Sequence, residues 1–161
     1  MLYNANEKLL EIQGIRMNYT TFGKGRTPLV LIQGLSTRSI KGAAFSLAYM
    51  YRIFINDYKV YIFDRRENIG DSITVRDLAA DIAMAMDSLK ITNADILGVS
   101  QGGMIAQYLA IDRPDLVNKL VLAVTLSKNN EIVERTVNDW IRITEHNDIK
   151  KLITDMAERM Y

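Results

Sequence analysis

Short apolar runs alternate with helical periods along the whole chain. Residues 8–13 and 15–22 read as two strands joined by a tight turn at Gly14, an antiparallel opening. Residues 28–32 and 59–63 are continuous apolar runs, ending in Gln33-Gly34 and at Asp64. Runs without polar alternation suit strands covered on both faces, as in parallel sheets. Residues 94–99 and 119–126 predict two more strands. Residues 40–54, after the run at 28–32, are a candidate helix, and 75–89, after 59–63, is the clearest one. Val75, Leu78, Ala79, Ile82, Met86 and Leu89 step by three or four along one face, and Thr74 with Asp77 resembles a capping box. Residues 102–111 are apolar nearly all round, which predicts a buried helix, with Pro114 marking its end. After Leu126 the texture changes to two amphipathic helices. Ile132, Val133, Val137, Trp140 and Ile141 line one; Ile149, Leu152, Ile153, Met156 and Met160 line the other. Strands alternating with helices predict an α/β fold with a mainly parallel sheet and helices on both faces.

Composition narrows the chemistry. The 161 residues include no cysteine and a single histidine, His146. A disulfide framework, a thiolate zinc site, a cysteine nucleophile and a multi-histidine metal centre are excluded for the chain acting alone. A chain this long can bury roughly 70% of its unfolded surface. Twenty basic residues against nineteen acidic ones give +1, so no global field draws it to nucleic acid or acidic lipid. The opening MLYNANEKLLEI has no basic region ahead of an apolar one, and no stretch approaches the roughly 20 apolar residues of a membrane span. These features set the expectation of a cytoplasmic protein with no nucleic-acid or membrane partner.

Gly98-Val99-Ser100-Gln101-Gly102 matches G-x-S-x-G, with a strand before it and a helix after. A serine on such a sharp turn needs small neighbours, because larger side chains collide with the adjacent strand and helix. Gly98 and Gly102 meet that need, and Gly103 extends it. The turn presents the Ser100 hydroxyl at the carboxyl end of a strand and at a helix N-terminus, whose unpaired N–H groups favour a developing oxyanion. The competing reading is a structural glycine-rich turn. A second element is Gln33-Gly34-Leu35-Ser36, after the run at 28–32. The N–H after the serine and one from this loop would form an oxyanion hole: the backbone groups of Gln101 and Leu35. The alternative is a plain strand-terminating turn.

The runs LVLIQGLSTRS, VYIFDRRENIGDS and ADILGVSQGGMIAQYLAIDRPDLVNKLVLAVT together resemble the α/β-hydrolase superfamily, in particular its small cap-bearing esterases, lactonases and peptidases. The similarity covers residues from about 10 to 126, with each element in family order. The resemblance implies a serine hydrolase acting on a small ester, lactone or amide through an acyl-serine, with no metal or organic cofactor and with residues 1–126 as the core. Residues 127–161 fall where the family inserts a helical cap. Two positions depart from the pattern: Gln33-Gly34 stands for the family's His-Gly, and the loop 66–72 loses a glycine and gains a residue.

A serine hydroxyl needs a base to take its proton, and the base needs a carboxylate to orient it. In the family both come from loops beyond the cap, so the resemblance implies a chain that lacks the C-terminal strands and ends within the cap. His146, with Glu145 or Asp148, could serve instead, or it is a solvated loop histidine. Arg65-Arg66 either grips an anionic substrate or forms a salt-bridged loop. Trp140 and the apolar positions of the last two helices are packing or pocket. Leu120 to Val124 reads as a strand covered on both faces with nothing strand-like after it, and the last helix keeps its apolar period to Met160-Tyr161. The expected partner is therefore a second copy or a complementary chain carrying the remaining strands. Two rival functions remain: a non-catalytic binding protein on the same fold, and catalysis with an incomplete triad.

Overall fold

A computed structural model describes residues 2–36, 38–70 and 72–160; Met1, Thr37, Asp71 and Tyr161 lie outside it. The expected shape of the loop through Asp71, and of the final period at Tyr161, therefore falls partly outside the described residues. The chain forms two compact units, residues 1–126 and 127–161.

In the first unit, β1 (Asn6–Ile12) and β2 (Ile15–Phe22) form the expected hairpin, with Ile12 opposite Ile15. Gln13 and Gly14 both have positive φ, 47° and 82°, which is the two-residue turn whose twist matches paired strands. β2 also pairs antiparallel with β4 (Tyr58–Phe63). From there the sheet is parallel through β3 (Thr27–Ile32), β5 (Ala94–Val99) and β6 (Val117–Ala123), in the order β1-β2-β4-β3-β5-β6.

The apolar run in β3 divides by parity. Val30 and Ile32 join a core with α2 (Val75–Ser88) and α3 (Gln101–Asp112); Leu29 and Leu31 face the other way, into a core with α1 (Ala44–Met50). Side chains alternate along a strand, so a strand with helices on both faces must be apolar throughout. The fold is thus the α/β sheet with helices on both faces that the pattern predicts. The capping box of α2 is present: the Thr74 hydroxyl accepts from the Asp77 N–H, and the Thr74 N–H donates to Asp77 Oδ2.

Two elements differ from their expected bounds by more than two residues at an end. The helix predicted over 40–54 begins only at Ala44 and gives way to a short 3-10 turn at Arg52–Phe54. The Ser39 hydroxyl and Ile40 N–H are bound to Asp64, so the chain there is held in a loop conformation. The last strand runs over 117–123 rather than 119–126, because Val124 turns to φ 43°. Nor is it covered on both faces: Leu120, Val121 and Leu122 are 38%, 54% and 42% exposed at the sheet edge of this unit.

The second unit is a pair of helices, α4 (Glu131–Glu145) and α5 (Ile149–Met160). Asn130 caps α4 by accepting from the Val133 N–H. Trp140 Nε1 donates to Asp155 Oδ2 at 2.8 Å, and Arg159 bridges Asp139 and Asp155, so the two helices are joined by polar contacts. Trp140 is accordingly a helix-to-helix contact. Ile132, Ile149 and Ile153 stay exposed on this unit.

Acid stability follows from the ion pairs. Arg113, just past α3, donates to Asp87 at the end of α2 and to Asp115, holding both carboxyls below the ordinary 3.8. Hydrogen bonds from Arg76 do the same to Asp112, and those from Thr74 do so to Asp77. A carboxyl with a depressed folded pKa adds stability that is present above its unfolded pKa and lost as pH falls through the folded one. The thermal midpoint should therefore hold above about pH 5 and fall below about pH 4. Arg113→Met, followed by circular dichroism across pH, should make that fall shallower; an unchanged slope would refute the assignment.

Candidate active site

Ser100 joins β5 to α3 at φ 53°, ψ −123°, a conformation that L side chains rarely adopt. Its backbone is fixed on both sides. The Ser100 N–H donates to the carbonyl of Ala123 on β6 at 2.9 Å, and its own carbonyl accepts from the Thr125 hydroxyl at 2.7 Å and from the Gly103 N–H at 2.9 Å. The side chain is exposed at the carboxyl end of the parallel strands.

The flanking glycines are required by space. A Cβ on Gly102 would lie 2.0 Å from the carbonyl oxygen of Ile32, and one on Gly98 would lie 2.7 Å from the Cα of Gly103. A Cβ on Gly103 would strike the Thr125 side chain at 2.6 Å. The first turn of α3 thus lies directly against the ends of β3 and β5. The loop after β3 reaches the same place, because a Cβ on Gly34 would lie 3.2 Å from Ser100 Cβ and 3.8 Å from its Oγ. Leu35, next along, is 69% exposed. Gln101 opens α3, where the first N–H groups have no partner within the helix.

The structure separates the two arginines that sequence treats alike. Arg66 pairs with Asp81, a carboxylate only 2% exposed on α2, and is a structural ion pair. Arg65 turns toward the serine: its Nη2 donates to the Gln33 carbonyl at 2.8 Å and to Gln101 Oε1 at 3.3 Å. Burial lowers the Arg65 pKa, an effect the adjacent Asp64 opposes. Asp64 and Thr125 are the neighbours that pattern reading missed, and for Arg65 it offered a substrate grip or a salt-bridged loop but not these two bonds. Only the abrupt end of an apolar strand at Asp64 hinted at either neighbour.

His146 ends α4 in the second unit, where Nδ1 lies 2.7 Å from the Arg142 carbonyl oxygen and must therefore donate to it. Residues 1–126 contain no histidine. Among the described residues, no cluster of His, Asp or Glu could hold a metal ion, and no helix is long and apolar enough to cross a membrane.

The order of strands and helices and the serine turn between β5 and α3 define a class. The sequence model of the α/β hydrolase fold matches residues 27–147, and the chain belongs to that family. It is 29% identical over 127 residues to 3-oxoadipate enol-lactonase 2 of Acinetobacter baylyi, covering 76% of this chain and 46% of the relative. It is 35% identical over 133 residues to 2-hydroxymuconate semialdehyde hydrolase of a Pseudomonas species, covering 79% and 46%. A solved α/β hydrolase from a Medee basin deep-sea metagenome library superposes with a TM-score of 0.80 at 18% identity, over 92% of this chain and 55% of that one. These relatives are hydrolases, and the chain spans a little under half the length of the two curated ones.

The geometry sets a stability test. Glycine adopts a positive φ freely, whereas a strained non-glycine residue costs about 1–3 kcal/mol. Ser100→Gly should therefore exceed Ser100→Ala in stability by about 1 kcal/mol in urea unfolding, reversing the usual preference for alanine. Gly102→Ala should lose at least about 2 kcal/mol, as it forces α3 away from backbone. Gly70→Ala, where a Cβ meets nothing within 4 Å, should change stability by less than about 0.5 kcal/mol.

Proposed function

We propose that this chain is the serine-bearing part of an α/β-fold hydrolase that cleaves a small ester, lactone or amide through an acyl-serine. The observation that supports this most is Ser100, exposed at positive φ between β5 and α3 with Gly34 of the β3 loop against it. In this reading Ser100 Oγ attacks the acyl carbonyl while a base removes its proton. The tetrahedral oxyanion accepts hydrogen bonds from the Gln101 and Leu35 N–H groups, each worth about 2.7–4 kcal/mol of transition-state stabilisation. Collapse expels the alcohol or amine, and water then releases the acid.

The base and its orienting carboxylate are proposed to come from outside this chain, whose one histidine lies in the second unit, beyond the core. The second unit is proposed as part of a helical cap. The two named relatives, an enol-lactonase and a semialdehyde hydrolase, support a small-molecule substrate.

A serine-directed fluorophosphonate tests the reading on the chain alone and on a form extended with further strands, an acid and a histidine. Labelling of Ser100 in the extended form, lost in Ser100→Ala, is the expected result. No labelling in either form sinks it and leaves a non-catalytic binding protein. Labelling of the short form that disappears in His146→Ala would make His146 the base.

The exposed apolar edge at Leu120, Val121 and Leu122 leads to a second proposal: another strand, from a second copy or a complementary chain, covers β6. Light scattering should show self-association of the chain alone, with binding of a hydrophobic dye. A dye-silent monomer counts against it.

A further inference from the structure

The loop that carries Leu35 is fastened at both ends by two consecutive residues. Asp64 and Arg65 leave the carboxyl end of β4, the strand beside β3. Arg65 Nη2 donates to the carbonyl of Gln33, the first residue of the loop. Asp64 Oδ2 accepts from the Ser39 hydroxyl at 2.6 Å and from the Ile40 N–H at 3.1 Å, at the far end. Asp64 Oδ1 accepts from the Arg65 N–H at 3.0 Å, which couples the two anchors. The same Arg65 nitrogen also reaches Gln101 Oε1, on the residue directly after Ser100.

The loop after β3 and the first residue of α3, far apart in sequence, thus share one donor. The Gln33 carbonyl it holds lies against α3 as well, since a Cβ on Gly102 would come within 2.5 Å of that oxygen. Gly34 has no side chain with which to fix itself, and Leu35 is exposed, so neither residue is held by packing of its own. A half-buried guanidinium that is removed from water and bonded to two oxygens is a costly arrangement, sustained by those bonds and by Asp64.

We propose that Arg65 is a positioning residue that sets the spacing between the Leu35 and Gln101 N–H groups by tying the Gln33–Gly34 peptide to the Gln101 side chain. The proposal rests on Ser100 being the nucleophile for its catalytic meaning, although the tether itself does not. Misplacing such donors by about 1 Å can cost a hundredfold in rate. A rival use of Arg65, binding an anionic substrate directly, would act on affinity instead.

Arg65→Met keeps the length and removes the donors. Arg65→Lys keeps one nitrogen, and one nitrogen makes both bonds, so lysine should rescue. The first readout is backbone amide order parameters by nuclear magnetic resonance on the chain itself. At Gly34, Leu35 and Gln101 they should fall from about 0.85 toward 0.6 in Arg65→Met, stay unchanged in β3, and recover in Arg65→Lys. Unchanged values at those three residues overturn the tether. Should Arg65→Met not fold, Gln101→Met decides: residue 101 must loosen.

The second readout is the fluorophosphonate reaction in whichever form labels. The maximal labelling rate should drop tenfold or more with reagent affinity within twofold, and lysine should recover most of it. Loss confined to affinity overturns the positioning role. If the wild type fails to label while the order parameters respond, the serine reading fails and the tether stands.

Discussion

Most of the site depends on one close approach: the first turn of α3 against the ends of β3 and β5. Gly102 faces the Ile32 carbonyl and Gly98 faces the Gly103 backbone with no room for a methyl group. At that separation the connection between β5 and α3 can have no slack, so the chain must reverse within one residue. The positive φ at Ser100 is the consequence. The turn is then held from the side by β6 and the segment after it, through Ala123 and Thr125. Helix packing, backbone strain and serine exposure are thus a single arrangement seen at three scales.

The parts of the molecule that sequence made legible are those set by local sterics or by periodicity. The G-x-S-x-G pattern marks close backbone approach, Gly14 marks a hairpin, and Thr74 with Asp77 marks a helix start. The unbroken apolar run before Gln33 marks a strand between two helical layers. Elements governed by contacts between distant residues were not legible. The late start of α1 depends on Asp64, 24 residues away from Ile40. The pair Arg65-Arg66 offered no way to tell the arginine bound to buried Asp81 from the one that reaches Gln33 and Gln101, because each bond is chosen by three-dimensional placement.

The two edges of the sheet differ in a way that composition alone explains. β1 carries Glu7, Lys8 and Glu11 along its seven residues, and such charges discourage further pairing. β6 places Leu120, Val121 and Leu122 in a row, with charge only at Lys119, which is drawn to buried Asp95. One edge carries charge along its length; the other carries apolar side chains that are exposed in this unit. That exposure falls on the same strand that fixes the Ser100 backbone through Ala123.

That coupling bears on how the serine is held. Ser100 lacks a side-chain cap bond of its own to α3, and its strained backbone persists only if its surroundings over-determine it. Three supports meet there: the glycine contacts with β3, the bonds from β6 and Thr125, and the polar bridge from Arg65 across to Gln101. The first is steric and comes with the fold. The second varies with how well β6 is kept in place, and an open edge strand is the part of a sheet most free to fray. The third links α3 to β3 and β4 in the sheet interior, independent of β6. A polar tether on the interior side therefore gives the turn a support that loosening of the exposed edge does not remove.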